Sequence, residues 1–420
     1  MNLLIVPKPL FTDQMRVEGY YMAAQYGNAI LESTKSNPLD RAMDSPFIDF
    51  INEVGLDALT QNKPIFVPIT QIQLFTDLEE KVKQSVEKVV LLLDDRIVVD
   101  DAVLERCKHF GRFGFSFAAH YKGKLADIAP LRPYLSYIFL KVPMTKLLEC
   151  SVLVKREFPK VTIVATDICE KPIFDQIIMH RESKLELFDG AFYKVHIPSN
   201  ARQNTLSPLK TNYIQLLNIV SQDDFDFQTF TRTVRQDPAL AIQFMRLVNS
   251  ASKSRSEIKN LNQAAAMLGQ KEIKKWVSTA VSNALCVDSP SEIMRLSLIR
   301  AKFCENLASH FEMAMQQENL FLMGLFSVLD VVLDLPIEEA FKMVFVPPSI
   351  HHALVEQTGD YYSILFFVMQ YEMGHWKEIS RVALVRNISI DTIHIAYKES
   401  MLWYSELINL AVDQVELPAQ

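Results

Sequence analysis

The sequence lacks several features that would assign its class at once. Its five cysteines are scattered and include no C-x-x-C pair, which argues against a disulfide framework and against a structural zinc site. No apolar run reaches the roughly 18 residues of a membrane span, and the first residues show no basic leader with a cleavage site. We therefore expect a cytoplasmic protein with no membrane insertion, whose cysteines are buried as small apolar groups.

The chain also lacks a large excess or a cluster of charge of one sign. The chain has 43 Lys and Arg against 50 Asp and Glu, which gives a net charge of −7, and no block of like charges stands out. Attraction to a nucleic-acid backbone needs clustered basic residues, so no nucleic-acid partner is expected. What is present is the composition of a folded protein, with 49% hydrophobic and 22% charged residues. A length of 420 residues suggests two domains.

Short apolar, β-rich runs alternate with amphipathic stretches through residues 1–199. Amphipathic stretches such as "DAVLERCKHFGR" and "TKLLECSVLVKREFP" have helical spacing. Strands in alternation with helices predict a mostly parallel α/β sheet or barrel. The runs predicted as strands are "NLLIV", "KPIFVPI", "KVVLLL", "FGFSFAA", "YIFLKV", "VTIVAT" and "GAFYKV".

The pattern changes after "HIPSNARQNTLSP", residues 196–208, where helical signals follow almost without interruption. Asp237 is suited to cap a helix that begins at Pro238, and Gly269 is suited to end another. We predict an α/β domain over residues 1–199 and an all-helical domain over residues 200–420.

Four stretches of the second half resemble the HDOD domain over roughly residues 204 to 410. They are "RQDPALAIQFMRLVNSAS", "IKNLNQAAAMLGQKEIKKWV", "NLFLMGLFSVLD" and "MQYEMGHW". The order of predicted strands and helices in the first half resembles that of the EAL domain of cyclic di-GMP phosphodiesterases. This domain is a (β/α)8-type barrel with one antiparallel strand. The whole chain therefore resembles bacterial EAL–HDOD signalling proteins. With roughly 200 residues, the barrel is expected to be trimmed or irregular.

The EAL family carries a "G-Y/F-E-A-L" motif whose Glu holds a divalent metal. Residues 19–23, "GYYMA", correspond to this motif, so Tyr21 stands where that Glu belongs. Asp189 replaces the Gln of the family's closing Gln-Gly-aromatic run. The other family positions for metal or base chemistry correspond to Pro68, Leu92, Ala118, Ala119, Phe139 and Thr166.

Hydrolysis of a phosphodiester by this family needs carboxylates that hold hard cations and generate the attacking hydroxide. Alanine, leucine and proline can do neither. We therefore predict that the chain is not an enzyme and holds no metal or cofactor. The helical domain is predicted to bind protein partners as part of a signalling scaffold. Ser327 and Val328 stand at the His-Asp pair of the related HD phosphohydrolases, a pair that HDOD domains generally lack.

Two alternatives stay open: a receptor that binds cyclic di-GMP without cutting it, and an active phosphodiesterase with displaced ligands. Two phosphates need Arg or Lys at the mouth of the barrel. The aligned strand-end residues supply no positive charge, so weak or no nucleotide binding is expected. Asp94-Asp95 and Asp100-Asp101 are interpreted as turn residues and helix N-caps. His120 is interpreted as an exposed histidine in a polar loop, and the oligomeric state is left open.

Overall fold

A computed structural model describes residues 3–31, 46–83, 85–180, 182–194, 208–222, 224–251, 260–285, 291–333, 335–343 and 346–412. The chain divides into two compact units. One unites residues 1–195 with residues 366–420, and the other spans residues 196–365. This division differs from the predicted helical domain over residues 200–420, because the last helices pack with the barrel.

Eight strands form a closed barrel in which each strand is bonded to its neighbours in chain order. They are β1 (Leu3–Phe11), β2 (Val17–Tyr26), β3 (Ile65–Ile69), β4 (Val89–Leu93), β5 (Ser116–Tyr121), β6 (Leu135–Leu140), β7 (Thr162–Ala165) and β8 (Leu187–Asp189). Strand β1 is antiparallel to both β2 and β8, and all other neighbours are parallel. The predicted barrel with one antiparallel strand is confirmed.

Two segments differ from the predicted strands. Residues 17–26 were not among the predicted runs, yet they form β2 because they pair with β1 as a hairpin. The sequence also predicts a strand over "GAFYKV", whereas β8 ends at Asp189 and Phe192–Lys194 form a 3₁₀ turn. Gly190 has φ 153°, and a Cβ there would lie 1.8 Å from the carbonyl oxygen of Ile168. The chain therefore leaves the strand at a position that only glycine fits.

Several of the helices that follow the strands are short in the part of the barrel that the structure describes. The helices of this part are α1 (Pro46–Val54), α2 (Leu56–Thr60), α3 (Gln71–Leu74), α4 (Leu78–Lys81), α5 (Asp101–Arg112), α6 (Leu147–Glu157) and α7 (Lys171–Met179). Helices α3 and α4 have four residues each. Residues 122–134, all of them described, connect β5 to β6 through two 3₁₀ turns and no α-helix. The barrel is trimmed, as predicted.

Helix α5 begins where the sequence indicates. The Asp100 carboxylate accepts a hydrogen bond from the backbone N of Val103 at 2.8 Å, which caps the helix. Its buried side chains include Cys107, which supports the prediction of buried cysteines. Cys150 and Cys304 are buried too, but Cys169 is exposed, and Cys286 lies outside the described residues. Cys169 is exposed because it lies in the loop between β7 and α7.

The described residues from 208 to 412 are mainly helical. Their α-helices are α8 (Pro208–Val220), α9 (Phe227–Val234), α10 (Pro238–Ala251), α11 (Leu261–Leu285), α12 (Ser291–Leu307), α13 (Gln317–Phe326), α14 (Leu329–Leu333), α15 (Ile337–Met343), α16 (Pro348–His351), α17 (Gly359–Met373), α18 (Trp376–Val385) and α19 (Ile390–Val412). The backbone N of Leu240 donates to the Asp237 carboxylate at 3.2 Å, as predicted for the cap of α10. Gly269 has φ 80° and breaks α11 where the sequence predicts a helix end.

The last helices complete the outer layer of the barrel beside β1. Strand β8 pairs with β1 only at Leu10 and Phe11, so most of that edge of β1 has no strand partner. Helix α19 packs against β1, α1 and α2. The Asn28 side chain donates to the carbonyl oxygen of Ser380 at 3.0 Å, which fixes α18 beside the end of β2. Residues 366–412 therefore occupy the place of an outer barrel helix.

Candidate functional site

Apolar side chains fill the interior of the barrel. The buried cluster consists of Leu10, Phe66, Val90, Leu92, Ala118, Phe139, Val164 and Leu187, with Tyr21 and Tyr137 packed against it. Alternate residues of each strand face inward, and in barrels of this size side chains fill the centre. Four of the aligned family positions, Tyr21, Leu92, Ala118 and Phe139, are thus brought together as packing groups.

The three remaining family positions lie around this cluster. Pro68 is paired with Leu92 in the β3–β4 register. The Thr166 hydroxyl donates to the carbonyl oxygen of Leu140 at 3.0 Å. Ala119 is buried but faces away from the interior, because it directly follows Ala118 on the strand. Among the described residues, no group of three or more His, Cys, Asp or Glu side chains is placed to hold a metal ion.

Charged side chains surround the interior near the carboxyl ends of the strands. We call this set the barrel mouth: Lys8, Asp94, Asp95, His120, Lys122, Lys141, Asp167 and Asp189. Burial raises the pKa of Tyr21 to about 12, and the carboxylates of Asp189, Asp167 and Asp94 add to the rise. The Tyr21 hydroxyl is therefore a neutral group that faces three acids. Tyr21, which the sequence analysis aligns with the EAL carboxylate, is a hydrogen-bond donor and acceptor.

Asp189 is the most strongly perturbed acid of the barrel mouth. Burial raises its pKa to about 6, while the ammonium of Lys8 opposes the rise. Lys8 lies opposite Tyr21 in the β1–β2 register. The carboxyl, the ammonium and the phenol therefore meet in one sector, at the seam between β8, β1 and β2.

A second sector of the barrel mouth is richer in positive charge. Asp95 forms an ion pair with Lys122 and lies 3.6 Å from the Nζ of Lys141. Two ammonium groups share this one carboxylate, because Asp94 is bonded to Arg96 at 2.8 Å. The backbone N of Arg96 also donates to Asp94 at 2.9 Å, so the predicted turn role of Asp94 is confirmed.

His120 differs from its sequence interpretation. It lies on β5, is half-buried, and its ring centre is 5.7 Å from that of Phe139. Its Nδ1 is buried without a hydrogen-bond partner among the described residues. Burial lowers its pKa, and the charge of Lys141 lowers it further. The interpretation as an exposed loop histidine is wrong, because the strand continues to Tyr121.

Part of this mouth could have been found from the sequence. Asp95 and Lys122 follow closely after predicted strands, and Lys141 lies near the end of the predicted strand "YIFLKV". The carboxyl ends of parallel strands meet on one face of a barrel. Lys8 could not have been found this way. It lies on the antiparallel strand, and only the register of β1 against β2 places it beside Tyr21.

Ser327 and Val328, which the sequence analysis aligns with the HD pair, are a hydrogen-bonded serine and a buried valine in the helical unit. The Ser327 hydroxyl donates to the carbonyl oxygen of Gly324 at 2.5 Å and accepts from Arg300 Nη1 at 2.7 Å. Val328 is buried. Gly324 permits a close approach of α13 to α12, since a Cβ there would lie 2.6 Å from the Cα of Ala301.

Comparison with known proteins assigns a domain type to part of the helical half of the chain. Residues 206–340 match the model of the HDOD domain. In this chain a closed barrel with a single antiparallel strand precedes the segment that matches the HDOD domain, which is the order that the sequence resemblance predicts. Among the described residues, no helix is long and apolar enough to cross a membrane.

Two relatives show how far the similarity extends. The uncharacterized protein YuxH of Bacillus subtilis is 26% identical over 423 residues, which cover 97% of this chain and all of that protein. Cyclic di-GMP phosphodiesterase CdgJ of Vibrio cholerae is 30% identical over 237 residues, or 56% of this chain. That match spans 54% of the length of CdgJ.

Solved structures of cyclic di-GMP complexes share little sequence with this chain. Klebsiella pneumoniae BlrP1 with calcium and cyclic di-GMP gives a TM-score of 0.37 at 11% identity, over 45% of this chain and 54% of that chain. The complex of the PaMucR phosphodiesterase with cyclic di-GMP gives a TM-score of 0.35 at 13% identity, over 45% of this chain and 89% of that chain. Similarity at this level carries no functional argument.

The prediction that the chain is not an enzyme is contradicted by these comparisons. CdgJ, to which more than half of the chain is similar, is named a phosphodiesterase. The prediction was based on residue types at aligned strand ends. The comparison shows that such a count is not a sufficient ground for excluding catalysis.

Proposed function

We propose that this EAL–HDOD signalling protein recognises cyclic di-GMP at its barrel mouth. The observation that carries the proposal is the surplus of positive charge around Asp95, where Lys122 and Lys141 share one carboxylate. The nucleotide has two phosphate groups, and lysine ammonium groups bind phosphate as point charges. The similarity to CdgJ, a protein named for this nucleotide, supports the same choice of ligand.

The neighbouring groups suit the base and ribose of such a ligand. Tyr21 and His120 are both neutral near pH 7, because burial raises the pKa of the phenol and lowers that of the imidazole. Each of the two side chains can therefore donate or accept a hydrogen bond. Phe139 lies beside both rings, at 6.1 Å from Tyr21 and 5.7 Å from His120. These side chains offer polar groups beside an apolar ring, as small-molecule sites do.

Calorimetry with cyclic di-GMP on the full chain tests the proposal. Lys122→Gln and Lys141→Gln are expected to weaken binding by about tenfold each, because each removes a charged hydrogen bond to phosphate. Lys108→Gln is the matched control, since Lys108 is exposed on α5 and paired with Glu105 at 3.4 Å. Absence of binding to the unaltered protein, or equal loss in the control, would contradict the proposal.

The same samples, incubated with Mg²⁺ or Mn²⁺ and with a chelator, report on turnover. Formation of a linear product that depends on the metal would make the site that of a phosphodiesterase. Binding without product would make it that of a receptor. Protein partners of the helical domain, expected from the sequence, stay a prediction.

A further inference from the structure

Lys8 and Asp189 are neighbouring charged side chains at the seam between β8, β1 and β2. Asp189 lies opposite Leu10 in the β1–β8 register, so these two side chains are on the same face of the sheet. Leu10 belongs to the interior cluster, and Lys8 is two residues before it on the strand. Lys8 and Asp189 therefore both face the inside of the barrel.

The ammonium and the carboxylate of this pair are available to a ligand. Diagonal neighbours on adjacent strands lie about 7–8 Å apart, within reach of a lysine side chain. Neither group forms an ion pair with a residue of the described part of the chain. Both side chains are half-buried, so a ligand in the barrel mouth can reach them. Gly374, in the turn between α17 and α18, lies beside the end of the lysine, since a Cβ there would be 3.7 Å from Lys8 Cε.

We propose that Lys8 and Asp189 recognise a guanine base of the bound nucleotide, an inference that rests on the proposed function. The edge of guanine carries the acceptor O6 beside the donors N1–H and N2–H₂. The ammonium can donate to O6 while the carboxylate accepts from the two nitrogens, so each group meets its complement. Adenine has an amino group in place of O6 and has no amino group at C2. It therefore cannot match this pair in the same position.

A phosphate group suits this seam less well than a neutral base does. Beyond the effect of burial, the carboxylate of Asp167 raises the pKa of Asp189, so a second negative charge is close by. The ammonium of Lys194 also acts on Asp189, but it lies 3.7 Å from a carboxylate oxygen of Glu372. The seam therefore has no surplus of positive charge, and its carboxylates would repel a phosphate.

The lysines that bind phosphate in the proposed function lie across the barrel from this seam. Strand β1 is opposite β5 in a barrel of eight strands in chain order, and Lys122 directly follows β5. Tyr21, which lies opposite Lys8, has its ring 6.1 Å from that of Phe139, and the Phe139 ring is 5.7 Å from that of His120 on β5. One nucleotide can therefore place a base at the seam while its phosphate stays at the lysines.

Calorimetry on the full chain, with cyclic di-GMP and cyclic di-AMP as probes, tests the inference. The unaltered protein should bind cyclic di-GMP about a hundredfold more tightly, because the two ligands differ only in their bases. Lys8→Met and Asp189→Asn should each weaken cyclic di-GMP binding by about tenfold and leave cyclic di-AMP binding unchanged. Lys122→Gln should instead weaken both ligands equally, because both carry the same phosphates.

Asp13→Asn is the matched control for Asp189→Asn, since Asp13 is exposed in the turn after β1 and should affect neither ligand. The inference is overturned if the unaltered protein binds the two nucleotides equally, a result that does not depend on the folding of any variant. It is also overturned if folded seam variants weaken both nucleotides to the same extent. A failure of cyclic di-GMP to bind at all overturns the proposed function, whereas binding without a preference between the bases overturns this inference alone.

Discussion

The hydroxyl of Tyr371 bonds both backbone groups of Ile5. It donates to the Ile5 carbonyl oxygen at 2.8 Å and accepts from the Ile5 nitrogen at 3.1 Å. Ile5 lies on the edge of β1 that β8 does not reach. Pro7 and Pro9, which have no N–H to satisfy, follow at alternate positions along the same strand. One side chain thus supplies the partner that a neighbouring strand would otherwise provide.

Tyr371→Phe should therefore destabilise the protein by about 2–4 kcal/mol, because two buried backbone groups lose their partner. Urea unfolding of the full chain measures this cost. Tyr361→Phe is the control, since its hydroxyl accepts only a half-buried bond from Asn319 at 3.3 Å. The control should change stability by less than about 1 kcal/mol. Equal effects of the two changes would show that the bonds to Ile5 are not structural.

Asp189 predicts a dependence of stability on pH. Burial raises its folded-state pKa from 3.8 to about 6, so between these values the folded protein holds a proton that the unfolded chain has lost. The contribution of this group therefore favours folding at low pH, and it declines as the pH rises from about 4 to about 6. Asp189→Asn should stabilise the protein by about 1–3 kcal/mol above pH 7.

Unfolding midpoints of the two proteins from pH 5 to pH 8 test this prediction. The difference between them should grow with pH and level off near pH 7. Exposed Asp13, in the turn after β1, gives the control Asp13→Asn. A difference that stays constant with pH would exclude Asp189 as its source.

Replacement by alanine is expected to have opposite effects on stability at two helical glycines, Gly324 and Gly111. A Cβ at Gly324 would lie 2.6 Å from the Cα of Ala301, whereas a Cβ at Gly111 in α5 meets nothing within 4 Å. Gly324→Ala should cost about 1–3 kcal/mol through overpacking. Gly111→Ala should stabilise by about 0.5–1 kcal/mol through helix propensity. Thermal unfolding of both variants measures the sign, and stabilisation by Gly324→Ala would refute the close approach of α12 and α13.

Limited proteolysis tests the division of the chain. The sequence predicts early cleavage in "HIPSNARQNTLSP", of which residues 196–207 lie outside the described ranges. The two fragments should nevertheless elute together in native gel filtration, because residues 366–412 of the second fragment pack on the barrel in the first. Fragments that separate without denaturant would support the simpler division at residue 199 instead.

Local patterns predicted the regular parts of this fold well. The caps at Asp100 and Asp237 and the helix break at Gly269 follow from a few neighbouring residues, so the sequence indicates them directly. Strand β2 was missed because its hydrogen bonds depend on pairing with β1. The placement of residues 366–412 was missed for a similar reason, since it depends on an uncovered strand edge at the other end of the sequence.

The candidate site shows the same limit. Alignment by residue type located positions such as Tyr21 and Leu92 but treated them as replaced ligands, whereas the structure shows that they pack the interior. The charge of the barrel mouth comes from side chains at other positions, such as Lys8 and Lys141. These groups meet only when the barrel closes, so no local pattern reveals them.

Packing of α19 against β1 has a consequence for biosynthesis. Strand β1 leaves the ribosome before the helical unit does, and its outer cover arrives only when residues 366–412 have been made. The helical unit of residues 196–365 is completed in between from contacts among its own residues, which favours early folding. During synthesis, nascent chains therefore expose the apolar flank of β1 until residues 366–412 emerge. This flank is the surface that a chaperone would have to shield.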